Sequence, residues 1–276
     1  QSQALALALT AARVVILGRR HARLAEGARQ VTILAPPQAS PEGGQVLWAN
    51  LTGLLRPPWR RLLSGQPHLA FEYRWTQDGA QITLWLPSAV PPGLAEHAIA
   101  AAWPGAVTAT GPAAPPLPDG GTAEAGTLAL GRPDHYPILS KHDADPLRAL
   151  FAAAEGLSPG DTAVWQVLAR PVAGPRLLRA RRFAAQLAGA GTARPASRLL
   201  DLLTPGIARR SRHPAAARAF PDRPAEIRAI LGKAAGPRWA AAVRYAIASP
   251  GPDTPAERAR LRGRAHALSG ARALYS

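Results

Sequence analysis

The chain has 276 residues, 47% of them hydrophobic, which is sufficient apolar material for a packed core and for two domains of ordinary size. It contains no Cys, so disulfides, thiolate chemistry and Cys-ligated zinc are excluded. A net charge of +16, carried by Arg with Lys only at Lys141 and Lys233, reads either as an Arg-rich soluble surface or as contact with an anionic partner, DNA or anionic lipid.

Residues 4–17, ALALALTAARVVIL, form a weakly apolar run that is too short for a span of roughly 20 residues. Arg19, Arg20, His21 and Arg23 follow directly, as at the cytoplasmic end of a membrane helix. The competing reading is an amphipathic helix packed on the domain. With no Met and a start at Gln1, the chain reads as a piece of a longer protein, which favours a membrane-proximal helix over residues 1–29.

Residues 30–35 read as a first strand, stopped by Pro36-Pro37. Ser40 as N-cap and Pro41 at the first helical position predict a helix running to about Leu55. Its apolar stripe is Val46, Leu47, Leu51 and Leu54, with Asn50 on the same side, and Arg56-Pro57-Pro58 ends it. Leu69–Leu86 then read as a hairpin turning at Asp78-Gly79 in a type I′ turn. That turn predicts Trp75 opposite Ile82, Tyr73 opposite Leu84 and Phe71 opposite Leu86, which also sets Glu72 opposite Trp85. Leu69, Phe71, Tyr73, Trp75, Ile82, Leu84 and Leu86 share one face; Glu72, Arg74, Thr76, Gln81, Thr83 and Trp85 share the other. Pro91-Pro92 opens a second helix with Leu94, Ala95, Ala98, Ile99 and Ala102 on one side, closed by Trp103-Pro104-Gly105. Ala106–Thr110 is a fourth strand. The fold class is α+β, and the order over residues 30–110 is that of a ferredoxin-like βαββαβ domain.

Residues 111–126, rich in Pro and Gly, read as a linker to a second α+β domain over 127–276. There, Thr127–Leu130 is a strand, Asp145-Pro146 starts a helix to about Glu155, and Asp161–Val172 is a strand. Pro175–Leu187 is a helix. A flexible Arg-, Pro- and Ala-rich insert lies near 188–224 and includes a helical piece at Ala196–Leu203. Ala225–Ala235 is a helix, Trp239–Ala248 a strand and Pro255–Ser269 a last basic helix. The strands holding Trp165 and Trp239 look alike, so this half reads as a divergent repeat of the first.

Catalytic motifs do not emerge. The one Gly-Lys pair, Gly232-Lys233, precedes Ala234 and lacks the spacing of a phosphate-binding loop, and neither G-x-S-x-G nor H-E-x-x-H occurs. His135, His142, Asp143 and Asp145 are read as a helix cap with an exposed loop. Glu72 is an isolated carboxylate without an acid–base partner. RNA-binding βαββαβ modules stack bases on strand aromatics, and here Trp85 alone faces the open side. No catalytic, cofactor or metal residue is assigned. The candidate contacts for an anionic partner are Arg176, Arg179 and Arg182 on one helix and Arg258 and Arg262 on the last.

Several stretches carry a resemblance. Leu24–Pro37, the segment around Leu47–Leu51, Gly65–Tyr73, Leu86-Pro87 with Val90–Gly93, Ala102–Gly105, His142–Leu150 and Leu199–Pro205 resemble the N-terminal region of actinobacterial conjugation ATPases. These are similar to type IV secretion coupling-type ATPases of the TraG or HerA/FtsK kind. The resemblance implies a membrane helix first, this region second and a P-loop motor after it; the motor is absent from this sequence, so no ATPase residue is carried over. It implies a non-catalytic assembly or positioning module of a DNA-transfer ATPase at the cytoplasmic face of the cell membrane. Its partners would be other secretion-system subunits and, in full-length form, further copies of itself. The alternative is a stand-alone nucleic-acid-binding protein with a ferredoxin-like sheet.

Overall fold

The structure, a computed structural model, describes residues 2–131, 134, 136, 138, 145–172, 223–233 and 238–270. The predicted helices at 175–187 and 196–203, and most of the insert near 188–224, lie outside the described residues. Two compact units are present. The larger comprises Gln1–Ala129, Ser140–Pro171 and Trp239–Ser276; the smaller comprises Leu130–Leu139 and Val172–Arg238.

In the larger unit the elements are α1 (Ser2–Ala25), β1 (Arg29–Leu34), α2 (Glu42–Asn50), α3 (Pro58–Ser64), β2 (Leu69–Thr76), β3 (Gly79–Leu86), α4 (Leu94–Ala102), β4 (Val107–Pro112), β5 (Thr122–Leu128), α5 (Pro146–Ala154) and β6 (Thr162–Pro171). The smaller unit contributes α6 (Arg223–Lys233); the larger then ends with β7 (Trp239–Ser249) and α7 (Pro255–Gly270).

The seven strands of the described residues form one antiparallel sheet in the order β4-β1-β3-β2-β6-β7-β5. Its first four strands have the expected split βαβ arrangement. From the central β2–β6 pair outward, one half runs second, third, first strand (β2, β3, β1) and the other half runs second, third, first as well (β6, β7, β5). The second half therefore repeats the first plan as far as its third strand, with no counterpart of β4 among the described residues, and is joined to it strand to strand. The expected linker is partly sheet: Thr122–Gly126 are the first residues of β5. The two halves share a sheet across β2 and β6.

The hairpin register differs by two residues from expectation. Tyr73 lies opposite Ile82, Phe71 opposite Leu84 and Glu72 opposite Thr83, while Trp85 lies opposite Ala70. A type I′ turn at Asp78-Gly79 would need a positive φ at Asp78, and no described non-Gly residue has one. The turn is made instead by Gln77 and Asp78. Gly79, at φ 132°, closes it against Thr76, whose hydroxyl accepts from the Asp78 N–H at 3.3 Å. A shift of two residues leaves every side chain on its predicted face.

The predicted apolar face packs under helices. Val31, Ile33, Leu84 and Leu86 meet Leu47 and Leu51 from the α2 region and Ile99 of α4. Trp75, Trp165 and Ile247 meet Leu150 of α5 and Leu261, Ala265 and Leu268 of α7. Pro41, not Ser40, holds the cap position of α2, with no side-chain capping bond. The Ser40 carbonyl accepts from the Trp103 indole at 2.9 Å, which ties the start of α2 to the end of α4. Helix α2 ends at Asn50, and a 3₁₀ turn over Leu51–Leu54 completes the expected run.

Candidate functional site

Two regions of the larger unit carry unusual chemistry: the sheet face away from the core helices, and the N-terminal helix with α3 beside it. On the first, backbone register lines up Thr32, Thr83, Glu72, Gln166, Arg244 and Thr127 across six strands. Glu72, Thr83 and Gln166 are buried. The Gln166 amide donates to Glu72 Oε1 at 2.5 Å and Thr83 Oγ1 donates to Glu72 Oε2 at 3.3 Å. The Arg244 guanidinium donates to Gln166 Oε1 at 2.8 Å. Glu72 is thus linked through an amide to a cation and is not isolated. Burial pushes its carboxyl above the ordinary range, against the pull of Gln166, Thr83, Arg244 and Arg74. Every bond in this row joins one strand to its neighbour, and the Glu72–Gln166 bond crosses the seam between the halves. The arrangement is a buried polar clamp.

Just before the start of β2, His68 stacks on Trp85 with centroids 5.1 Å apart, and His21 of α1 lies 5.9 Å beyond it. Burial, with His21, Arg244 and Arg170 nearby, lowers the His68 pKa. The one aromatic available as a base platform on this face is therefore already stacked from within.

Three of the four arginines of α7 have acidic partners. Arg258 holds the Asp253 carboxylate with both Nε and Nη2, and Arg262 reaches Glu124 Oε1 at 3.4 Å. Arg260 grips Asp161 at 2.7 and 3.0 Å and Glu257 at 2.7 and 3.0 Å. Burial alone would raise Asp161; the hydrogen bonds and charge of Arg260 outweigh it and hold the carboxyl below its ordinary value. The same guanidinium holds Glu257 down at about 2. Arg264 donates to the carbonyls of Glu155 and Gly156. Arg258 and Arg262 flank a shallow depression of about 340 Å³ with Glu124 and Asp253, where the two signs balance. Arg176, Arg179 and Arg182 lie outside the described residues.

In the smaller unit Lys233 donates to the carbonyls of Asp134 and Tyr136 at 2.8 and 2.7 Å. Asp145 caps α5, accepting from the Leu147 N–H at 2.9 Å. His135, His142 and Asp143, the rest of that sequence cluster, lie outside the described residues. Among the described residues no group of three or more His, Asp or Glu converges to hold a metal.

The second region escapes the sequence reading in part. The last turns of α1 dock: Leu24 is buried, and Arg20 Nη2 donates to the Leu62 carbonyl of α3 at 2.6 Å. Before that, Val14, Val15, Ile16 and Leu17 all face solvent. Four consecutive exposed positions span a full turn, so α1 is uncovered on every side there. No helix among the described residues is long and apolar enough to cross a membrane. Helix α3 is missed in the sequence because Pro57-Pro58 signals a stop; Pro is equally a helix start, and Trp59–Leu63 follows it.

The family described as Domain of unknown function (DUF8128) matches residues 24–266, and the chain belongs to it. No curated protein and no solved structure matches the chain.

Proposed function

We propose that this DUF8128 chain is a non-catalytic assembly and positioning module of a conjugative, type IV secretion-like DNA-transfer ATPase, held at the cytoplasmic face of a membrane. The observation that carries the reading is α1. A helix that packed on its own domain would bury one stripe; α1 instead docks by its last turns and leaves Val14–Leu17 uncovered just ahead of Arg19, Arg20 and Arg23. An apolar segment followed by cations suits the inner surface of a bilayer. The sheet behind it, with its polar groups committed to one another, supports a scaffold. The rival, a stand-alone nucleic-acid-binding sheet, has weaker support, since His68 already covers Trp85 and a buried carboxylate occupies the middle of that face.

The test is an in-frame deletion of the segment coding for residues 24–266, scored by DNA transfer between cells and by fractionation. Transfer at the level of a full gene knockout is expected, restored by supplying the intact gene. Undiminished transfer from the deletion strain would refute the reading.

A further inference from the structure

We infer that α3 is a second membrane contact, an interfacial wedge that seats on an anionic bilayer beside the point where α1 leaves the domain. This rests on the membrane-proximal reading above and adds a site to it. The helix carries PWRRLLS, and its large apolar residues are turned outward: Trp59 is 58% exposed, Leu62 74% and Leu63 69%. None of its residues is buried. An apolar triplet facing water on a fixed element marks a contact surface.

The element is held in place. Arg56 donates from Nη1 to Ser64 Oγ at 3.3 Å and to the Gly65 carbonyl at 3.2 Å, which closes the loop bearing α3. Gln66 accepts from the Arg56 N–H at 3.0 Å and donates to the Leu54 carbonyl at 2.8 Å. Arg20 then fixes α3 to α1 through the Leu62 carbonyl, one turn past the exposed Val14–Leu17 run. The two uncovered apolar surfaces are therefore neighbours in one unit.

Charge selects the occupant. Residues 1–25 and 51–71 contain no Asp or Glu, and Arg19, Arg23 and Arg60 are exposed. The Arg60 guanidinium lies 5.0 Å over the Trp59 ring. A Trp with Arg at its side and Leu beyond matches the graded polarity of a bilayer surface, with the ring at headgroup level and the Leu side chains below it. A second copy of a chain with a net charge of +16 would bring like charge to a patch that has no carboxylate to receive it. An anionic lipid surface supplies the missing sign.

The chain has no Cys, so Leu63→Cys can carry a single environment-sensitive fluorophore. The full chain is titrated with phosphatidylcholine vesicles with and without phosphatidylglycerol. Brighter, blue-shifted emission with anionic vesicles, quenched by brominated lipid, is expected; a label at Asp119→Cys should not respond. Leu62→Glu with Leu63→Glu should weaken vesicle binding by roughly tenfold or more, given the apolar surface of two Leu side chains. Its thermal midpoint should not move, since both positions are exposed. If that variant binds as the parent does while a chain starting at Gly18 loses binding, α1 alone holds the bilayer. The wedge is then overturned and the membrane-proximal reading stands. If the parent binds no anionic vesicle, both fall. If the variant changes only the oligomeric state, measured by light scattering, the patch is a self-contact and the wedge is overturned.

Discussion

Single carboxylates in this protein are set in opposite directions by their surroundings. Glu72 has its pKa raised above the ordinary value of 4.5, chiefly by burial. For such a group the folded state prefers the protonated form. Its favourable contribution is complete below the unfolded pKa and is lost as pH rises through the folded one. Glu72→Gln keeps the size and hydrogen-bonding capacity while removing the charge. The variant should therefore gain in stability relative to the parent as pH rises from about 4 to 7. Denaturant unfolding at a series of pH values measures this, and a difference constant across that range would contradict the buried-carboxylate account. Asp161 behaves in the other sense. Its pKa is lowered, so its contribution is present above its unfolded value and is lost as pH falls through the folded one. Asp161→Asn removes the charge and one of the two oxygens through which Arg260 anchors α7, and should cost ~1.5–3 kcal/mol near neutrality. Variant and parent should converge as the solution is acidified, which the same pH series reads out.

Elements were legible where the local pattern was strong. Strands β1 to β4 follow from alternation and punctuating turns, and the faces of the hairpin are as its side chains predict. The register was not, because the turn depends on which residue takes the positive φ, and Gly79 takes it outside the central pair. Only the end of β5, Thr127-Leu128, fell inside the predicted strand; its first five residues lay in the Gly- and Pro-rich stretch, have little strand preference of their own and are held by pairing with β7. The clamp was invisible for a different reason. Glu72 and Gln166 are 94 positions apart and meet only because β2 pairs with β6. The partner of Arg258 lies five residues away, whereas that of Arg262 lies 138 away, beyond any local pattern. The β5–β7 pairing makes a prediction of its own. Gly126 lies opposite Tyr245, and a Cβ there would come within 2.5 Å of the ring Cζ. Gly126→Ala should cost ~1–3 kcal/mol through overpacking. Adding Tyr245→Ala should recover part of that loss, so a double-mutant cycle should give a clear coupling; additivity would rule out the steric explanation.

At the scale of the whole larger unit, the seam between β2 and β6 joins two copies of one plan through strands that hold equivalent positions in their halves. Seven backbone pairs cross it, from Leu69 opposite Ala169 to Trp75 opposite Ala163. A fragment of residues 24–115 keeps β1 to β4 and their helices but exposes the long edge of β2. Unpaired strand edges seek a partner, and the equivalent partner for β2 is another β2. Antiparallel pairing centred on Glu72 would then put two Glu72 carboxylates face to face where the intact chain puts Gln166. Like charges directly opposite each other are unfavourable in a sheet. The fragment should therefore associate weakly at neutral pH and more strongly in mild acid, as protonation removes the repulsion. With Glu72→Gln it should dimerise at both pH values, because the Gln pair recreates the amide contact of the seam. Light scattering of both fragments at two pH values decides the matter. Folded monomers in every condition would mean that β2 does not need a strand at this edge, and that the two halves are joined by the loops and helices around the seam instead of by the seam itself.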